Sequence, residues 1–149
     1  MSAGEYCNRE VVVVERSESV HSAIELMRTH HVGNVIVIER ANGGSRPLGI
    51  LTDRDIVIEL LAKDVDLATV SVGDVMSDDL HTVHEDAKLL DATKVMRTKG
   101  IRRLPVVNTQ GSLVGILAVD DILGLIMEQL SDLVGLIVKE QLQENTRRK

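Results

Sequence analysis

The stretch LGILTDRDIV at Leu48–Val57 returns as VGILAVDDIL at Val114–Leu123. Gly49 corresponds to Gly115, an offset of 66 residues. Upstream, SVHSAIELMRTHHVGNVIVIE from Ser19 lines up with KLLDATKVMRTKGIRRLPVVN from Lys88, where Met27 and Met96 give an offset of 69. The change of offset lies in the loops: ERANGGSRP in the first copy is three residues longer than NTQGS with Leu113 in the second. Turn-rich loops tolerate such length changes. One supersecondary unit is therefore present twice, and a unit of about 60 residues is marginal alone.

Each copy reads in the same order. A short strand comes first, Val11–Val14 and then Leu80–Val83. A helix follows, with apolar residues at Val20, Ala23, Ile24 and Met27, and at Leu89, Ala92, Val95 and Met96, which is helical spacing. Ser17 or Ser19 is positioned to cap the first helix and Asp86 the second. Two strands come next. Val35–Ile38 pairs with Leu48–Leu51 across Asn42-Gly43-Gly44, and Leu104–Val107 pairs with Leu113–Leu117 across Gly111. These strands are unbroken Val, Ile and Leu rather than alternating, so both faces should be buried. A second helix starts at Asp53-Arg54-Asp55 and at Asp120-Asp121. The expected fold is α+β, of α/β type: two β-α-β-β-α repeats packed sheet to sheet about a pseudo-two-fold axis, with ligand clefts between them. The expected boundaries are 1–68, 69–126 and 127–149.

Composition narrows the function. The chain has 149 residues, 44% hydrophobic and 27% charged, which excludes disordered and fibrous classes. One Tyr, no Phe and no Trp leave no aromatic platform for stacking bases, and a net charge of −6 offers no field for a polyphosphate backbone. Nucleic acid is thus a poor partner. Cys7 is the only cysteine, so no intrachain disulfide forms. The first residues resemble no signal peptide, and no apolar run approaches a membrane span. A cytoplasmic location is expected.

The run Gly100-Ile-Arg-Arg-Leu-Pro-Val-Val107, its turn, Leu-Val-Gly-Ile-Leu and Asp-Asp-Ile-Leu resemble a CBS domain. So does the linker Val72-Gly-Asp-Val-Met-Ser77, and the box Gly49-x-x-Thr52-x-x-Asp55 fits the same pattern. The resemblance spans residues 7–126. It implies a tandem pair (a Bateman module), stand-alone and without catalysis, acting in regulation and signal transduction. The ligand it implies is an adenine nucleotide, AMP, ADP or ATP, with S-adenosylmethionine or an NAD-type ligand as alternatives. It also implies a homodimer and an unidentified regulated target. A structural module with empty clefts is the rival reading.

Several residues follow from this resemblance. Thr52 and Asp55 stand at a helix start, where free N–H groups favour phosphate. The Thr52 hydroxyl would donate to phosphate and Asp55 would accept from ribose hydroxyls; Thr52 and Asp53 would equally serve as caps. Arg54 lies in the same box. In the second box Ala118 replaces Thr52 and Asp120 replaces Arg54, while Asp121 matches Asp55, so the Thr52 cleft is the expected nucleotide site. Arg102 and Arg103 are candidate phosphate ligands, one facing the cleft and one solvent, or else surface arginines paired to carboxylates. Val13, Val32, Thr82 and Ile101 would line the adenine slots, or simply pack the core.

No metal or catalytic pattern is visible. His30 and His31 are adjacent, His81 and His84 are three apart on or near a strand, and Cys7 has no sequence neighbour that would complete a ligand set. Walker, GxGxxG and HExxH patterns are absent. Past the second copy, Ile122, Ile126, Leu130, Leu133 and Ile137 form a helical stripe that Leu123, Met127, Val134 and Val138 widen. The stripe calls for a partner, a second copy or its own module. Arg147, Arg148 and Lys149 are expected to fray.

Overall fold

The computed structural model describes residues 1–41 and 43–148. Asn42 of the first hairpin turn and Lys149 of the tail lie outside the described residues. A short helix α1 (Ala3–Tyr6) precedes β1 (Val13–Glu15), α2 (Val20–His30), β2 (Asn34–Ala41), β3 (Gly44–Thr52) and α3 (Asp53–Asp55). The series then repeats as α4 (Val72–Val75), β4 (Val83–His84), α5 (Leu89–Lys99), β5 (Arg103–Val107), β6 (Leu113–Ala118) and α6 (Val119–Arg147). The first strand of each repeat pairs parallel with the second, and the second pairs antiparallel with the third. The fold is α+β: two three-stranded mixed sheets and a long C-terminal helix.

The unbroken apolar strands are buried as expected. Val35, Ile36, Val37 and Ile38 are at most 1% exposed, because α2 covers one face of the sheet and the second repeat lies over the other through the contact of β3 with β6. Val20, Ala23 and Met27 turn the buried face of α2 onto that sheet; Leu89, Ala92 and Met96 do the same for α5. Ser19 caps α2, its Oγ accepting from the Ser22 N–H at 3.1 Å. Asp86 does not cap α5, which starts after Lys88. Residues 84–88 are held instead as a turn, with the Ala87 N–H on the His84 carbonyl, and the first amide of α5, Leu89, donates to the Met1 carbonyl.

The pseudo-symmetry is closed by a crossed brace. In α1, Ala3 and Gly4 donate to the Ala87 and Glu85 carbonyls of the second repeat, both at 2.8 Å. In α4, Val72 and Gly73 donate to the Glu18 and Arg16 carbonyls of the first repeat, at 2.8 and 2.9 Å. Asn8 bridges Ile116 of β6, and Ser77 bridges Ile50 of β3. Ala3 thus belongs to the second core and Val72 to the first, so packing crosses chain order. The crossing demands glycine. A Cβ on Gly49 would collide with the Ser77 carbonyl, and one on Gly115 with Cys7 Sγ and the Asn8 carbonyl.

The repeats diverge after their third strands. In the first, α3 passes into a π-helical turn (Ile56–Leu60) and a 3-10 turn (Leu61–Lys63) that ends at Asp64 with φ 54°. In the second, α6 continues for 29 residues. Arg147 is helical and the Arg148 N–H donates to the Glu144 carbonyl at 3.1 Å, so the helix runs into the residues expected to fray. Completed i→i−4 bonds carry the helix to that point.

Candidate functional site

Two clefts open between the repeats, each walled by matching segments. The first, about 390 Å³, takes Ile50, Thr52 and Arg54 from the β3–α3 corner. Asp79, Leu80 and His81 come from the extended lead into β4, and Gly100 to Arg103 with Pro105 from the α5–β5 corner. The second, about 320 Å³, takes Ile116, Ala118, Asp120 and Asp121 from β6 and α6. Asn8 and Glu10 to Val12 lead into β1, and His31 to Asn34 form the α2–β2 corner. Both volumes fall at the lower end of the roughly 300–1,000 Å³ range of small-molecule sites.

The chemistry of the clefts is opposite. Arg54, Arg102 and Arg103 face the first cleft against one carboxylate, Asp79. Among the described residues Arg54 and Arg103 form no ion pair. His81 Nε2 lies 3.6 Å from Asp79 Oδ1 on the same wall. Ile50, Leu80, Ile101 and Pro105 supply apolar surface beside these charges. In the second cleft, Glu10, Asp120 and Asp121 stand against Arg103, which lines both cavities. Arg102 Nη2 contacts Asp120 Oδ1 at 3.2 Å, joining the wall of one cleft to that of the other. Both side chains are more than 70% exposed, so this pair contributes little stability and yields easily to a better anion.

The box residues begin the helices. Thr52 Oγ1 accepts from the Asp55 N–H at 3.1 Å, and Asp55 Oδ2 accepts from the Thr52 N–H at 3.1 Å. This is a reciprocal capping box. Accepting a bond leaves the Thr52 hydroxyl proton free to donate into the cleft, so capping and ligand contact are compatible. The second box keeps half of this: Asp121 Oδ2 accepts from the Ala118 N–H at 3.2 Å, and Ala118 has no hydroxyl.

Thr52, Arg54, Arg102, Arg103 and Ile101 therefore meet in the first cleft, and Val32 and Asp121 line the second. Asp55 lines neither; its carboxylate is turned to the cap. Val13 pairs with Ile36 inside the sheet, and Thr82 is exposed and lines neither cleft. The residues that do line the clefts there are Val11 and Val12, Leu80 and His81, because the strands start later than the apolar runs suggest. The 69-residue offset that pairs Leu80 with Val11 was the available signal. Arg102 and Arg103 both face the first cleft. Strand alternation does not apply to them, since β5 starts at Arg103 and Arg102 lies in the bend before it.

Outside the clefts, the Cys7 thiol is pushed up by burial beneath β6. Among the described residues, no group of three or more His, Cys, Asp or Glu is placed to hold a metal ion, and no helix is long and apolar enough to cross a membrane.

Comparison with known proteins agrees with this architecture. The chain is 37% identical over 123 residues to an uncharacterized protein of Methanopyrus kandleri, covering 83% of this chain and 61% of the relative. It thus spans about three fifths of that protein's length. It is 38% identical over 113 residues to the CBS domain-containing protein YhcV of Bacillus subtilis, 76% of each chain. It is 33% identical over 121 residues to hypoxic response protein 1 of Mycobacterium tuberculosis, covering 81% of this chain and 82% of the relative. A crystal structure of hypoxic response protein 1 with two coordinated zinc ions superposes with TM-score 0.72, over 82% of this chain and 96% of that one. A CBS domain protein of Pyrobaculum aerophilum complexed with AMP superposes with TM-score 0.72 at 26% identity, over 81% and 89% of the chains. The CBS domain profile matches residues 3–62 and again 72–128, each match beginning at a brace helix, and the chain belongs to the CBS domain family as a tandem pair.

Proposed function

We propose that this chain is a non-catalytic regulatory module of the cytoplasm that binds an adenine nucleotide of the AMP, ADP or ATP class in its first cleft. The observation that carries the reading is the meeting of Thr52, Arg54, Arg102 and Arg103 beside the apolar Ile50, Leu80, Ile101 and Pro105. Guanidinium forks and a hydroxyl suit phosphate, and the apolar surface suits a base. The AMP complex of the Pyrobaculum aerophilum relative supports the ligand class. The polar groups of the cleft suit holding a ligand: Thr52 caps a helix, and the arginines present guanidinium forks to an anion. Binding would be coupled to a regulated target through the relative placement of the two repeats.

Isothermal titration of nucleotide-stripped protein with AMP, ATP, NADH and S-adenosylmethionine tests this. Saturable binding of AMP or ATP, lost in Arg54→Ala/Arg103→Ala, is the expected result. These arginines are exposed and outside the capping box, so the variant keeps its fold, whereas changing Thr52 and Asp55 together would also remove a helix cap. Heat from S-adenosylmethionine or NADH alone would replace the ligand class. Silence from all four ligands with folded protein would leave a structural module.

A further inference from the structure

We propose that His81 is a proton-dependent phosphate ligand of the first cleft, so that a nucleotide there is held more tightly as pH falls through the range in which histidine takes up a proton. This rests on the nucleotide reading of that cleft.

His81 stands on the extended lead into β4, outside the sheet, and lines the first cleft together with the arginines. Its side chain is 26% exposed, so most of the imidazole is covered. Its Nε2 lies 3.6 Å from Oδ1 of Asp79, a carboxylate that is itself 87% exposed and therefore well screened by water. The other charged groups that line the cavity with it are Arg54 from α3 and Arg102 and Arg103 from the α5–β5 corner, with Arg102 tied to Asp120. The contrast with His84 is plain. That imidazole accepts from the Asp86 N–H through Nδ1 at 3.2 Å, holds a turn, and lines neither cleft.

Histidine is the side chain whose ordinary charge change falls between about pH 5 and 8. A neutral ring offers one N–H donor; a protonated ring offers two and a positive charge. A phosphate monoester carries about 1.5 to 2 negative charges near neutral pH. Placed among Arg54, Arg103 and His81 in a cavity of about 390 Å³, it favours the charged imidazole, which takes its proton from solvent. A group whose protonated form is favoured in the complex adds affinity at low pH and loses it as pH rises through its midpoint in the complex. The corresponding position in the second cleft is Val12, and the imidazole of that cleft, His31, stands with Glu10, Asp120 and Asp121 instead. Proton-linked phosphate binding thus belongs to the first cleft.

Isothermal titration of the nucleotide-stripped full chain with AMP at about pH 6 and about pH 8 tests this in wild type, His81→Gln and His81→Lys. Glutamine keeps an N–H donor without the charge, and lysine keeps the charge at both pH values. Both substitutions lie ahead of β4 and outside the sheet, so the fold is not at stake. Wild type should bind AMP about tenfold more tightly than His81→Gln at the lower pH and equally at the higher. His81→Lys should keep the gain at both. Comparing variants cancels the titration of the AMP phosphate itself and of His31. Adenosine, which has no phosphate, should bind wild type and His81→Gln alike at either pH. An AMP affinity ratio that does not change with pH, or one that changes equally with adenosine, would overturn the role of His81 and leave the nucleotide reading standing. No AMP binding at either pH would overturn the reading and the proposal together.

Discussion

At corresponding places the first cleft holds Thr52, Arg54, Arg102 and Arg103, and the second holds Ala118, Asp120, Gly33 and Asn34. The backbones are the same, with the same third-strand corner, the same lead-in and the same helix–strand corner. The charge is reversed. What both repeats keep is what the backbone needs. Gly49 and Gly115 admit the crossing segments, and Asp55 and Asp121 hold the third-strand amides. What differs faces the open clefts, where one side chain replaces another at little cost to the fold. Two sites of one architecture can therefore differ in the sign of the ligand they accept.

The largest expected effect on this contrast comes from removing the cations. Each guanidinium–phosphate contact is worth about 1.5–3 kcal/mol, so Arg54→Ala/Arg103→Ala should weaken AMP or ATP binding roughly a hundredfold or more, read by titration. The reverse experiment gives the second cleft the first cleft's residues. Ala118→Thr/Asp120→Arg should strengthen anion binding there about tenfold or more, seen as a rise in nucleotide stoichiometry. An unchanged stoichiometry would mean that cleft shape, not charge, separates the sites.

The shared backbone should break alike in the two repeats. Gly49→Ala and Gly115→Ala each place a Cβ against a crossing segment and should cost about 1–3 kcal/mol in denaturant unfolding. Cys7 Sγ is a side-chain atom able to give way, so Gly115→Ala should be the milder wherever the Asn8 carbonyl shifts with it.

A smaller effect belongs to the Arg102–Asp120 pair. Asp120→Asn releases Arg102 to the first cleft and should tighten nucleotide binding there about two- to fivefold, an effect that fades in high salt. The smallest lies in the brace. The Ser2 and Ser71 backbone N–H groups hold the Glu5 and Asp74 carboxyls below their usual range, with the chain's amino terminus adding to the effect at Glu5. A carboxyl lowered in the folded state adds stability above its unfolded pKa and loses it as pH falls through the folded one. Glu5→Gln and Asp74→Asn should therefore flatten the acid limb of a pH–stability profile and lower the plateau above it.

The repeat, the order of elements and both hairpins were legible because they rest on local pattern: period, turn residues and unbroken apolar runs. Thr52, Arg54 and Ile101, singled out through the box and the corner that carry them, come together on the wall of the first cleft. Val13 and Thr82 line neither cleft because the apolar runs Val11–Val14 and Leu80–Val83 do not mark where hydrogen bonding begins, and the first residues of each run stay outside the sheet to wall a cleft. Asp86 failed as a cap because Met1, from the other end of the chain, already serves the first amide of α5.

The sequence by itself determined that one unit occurs twice, that its core is aliphatic, and that cations stand in the first copy's box and the second copy's helix–strand corner while carboxylates fill the second copy's box. Those are properties of residue type and spacing, which need no partner. The tertiary structure alone decided that α1 completes the second repeat and α4 the first, and that Arg103 serves two clefts. The crossed braces and the shared arginine depend on segments more than 50 residues apart in the chain meeting by backbone hydrogen bonds and close approach, which no local window contains.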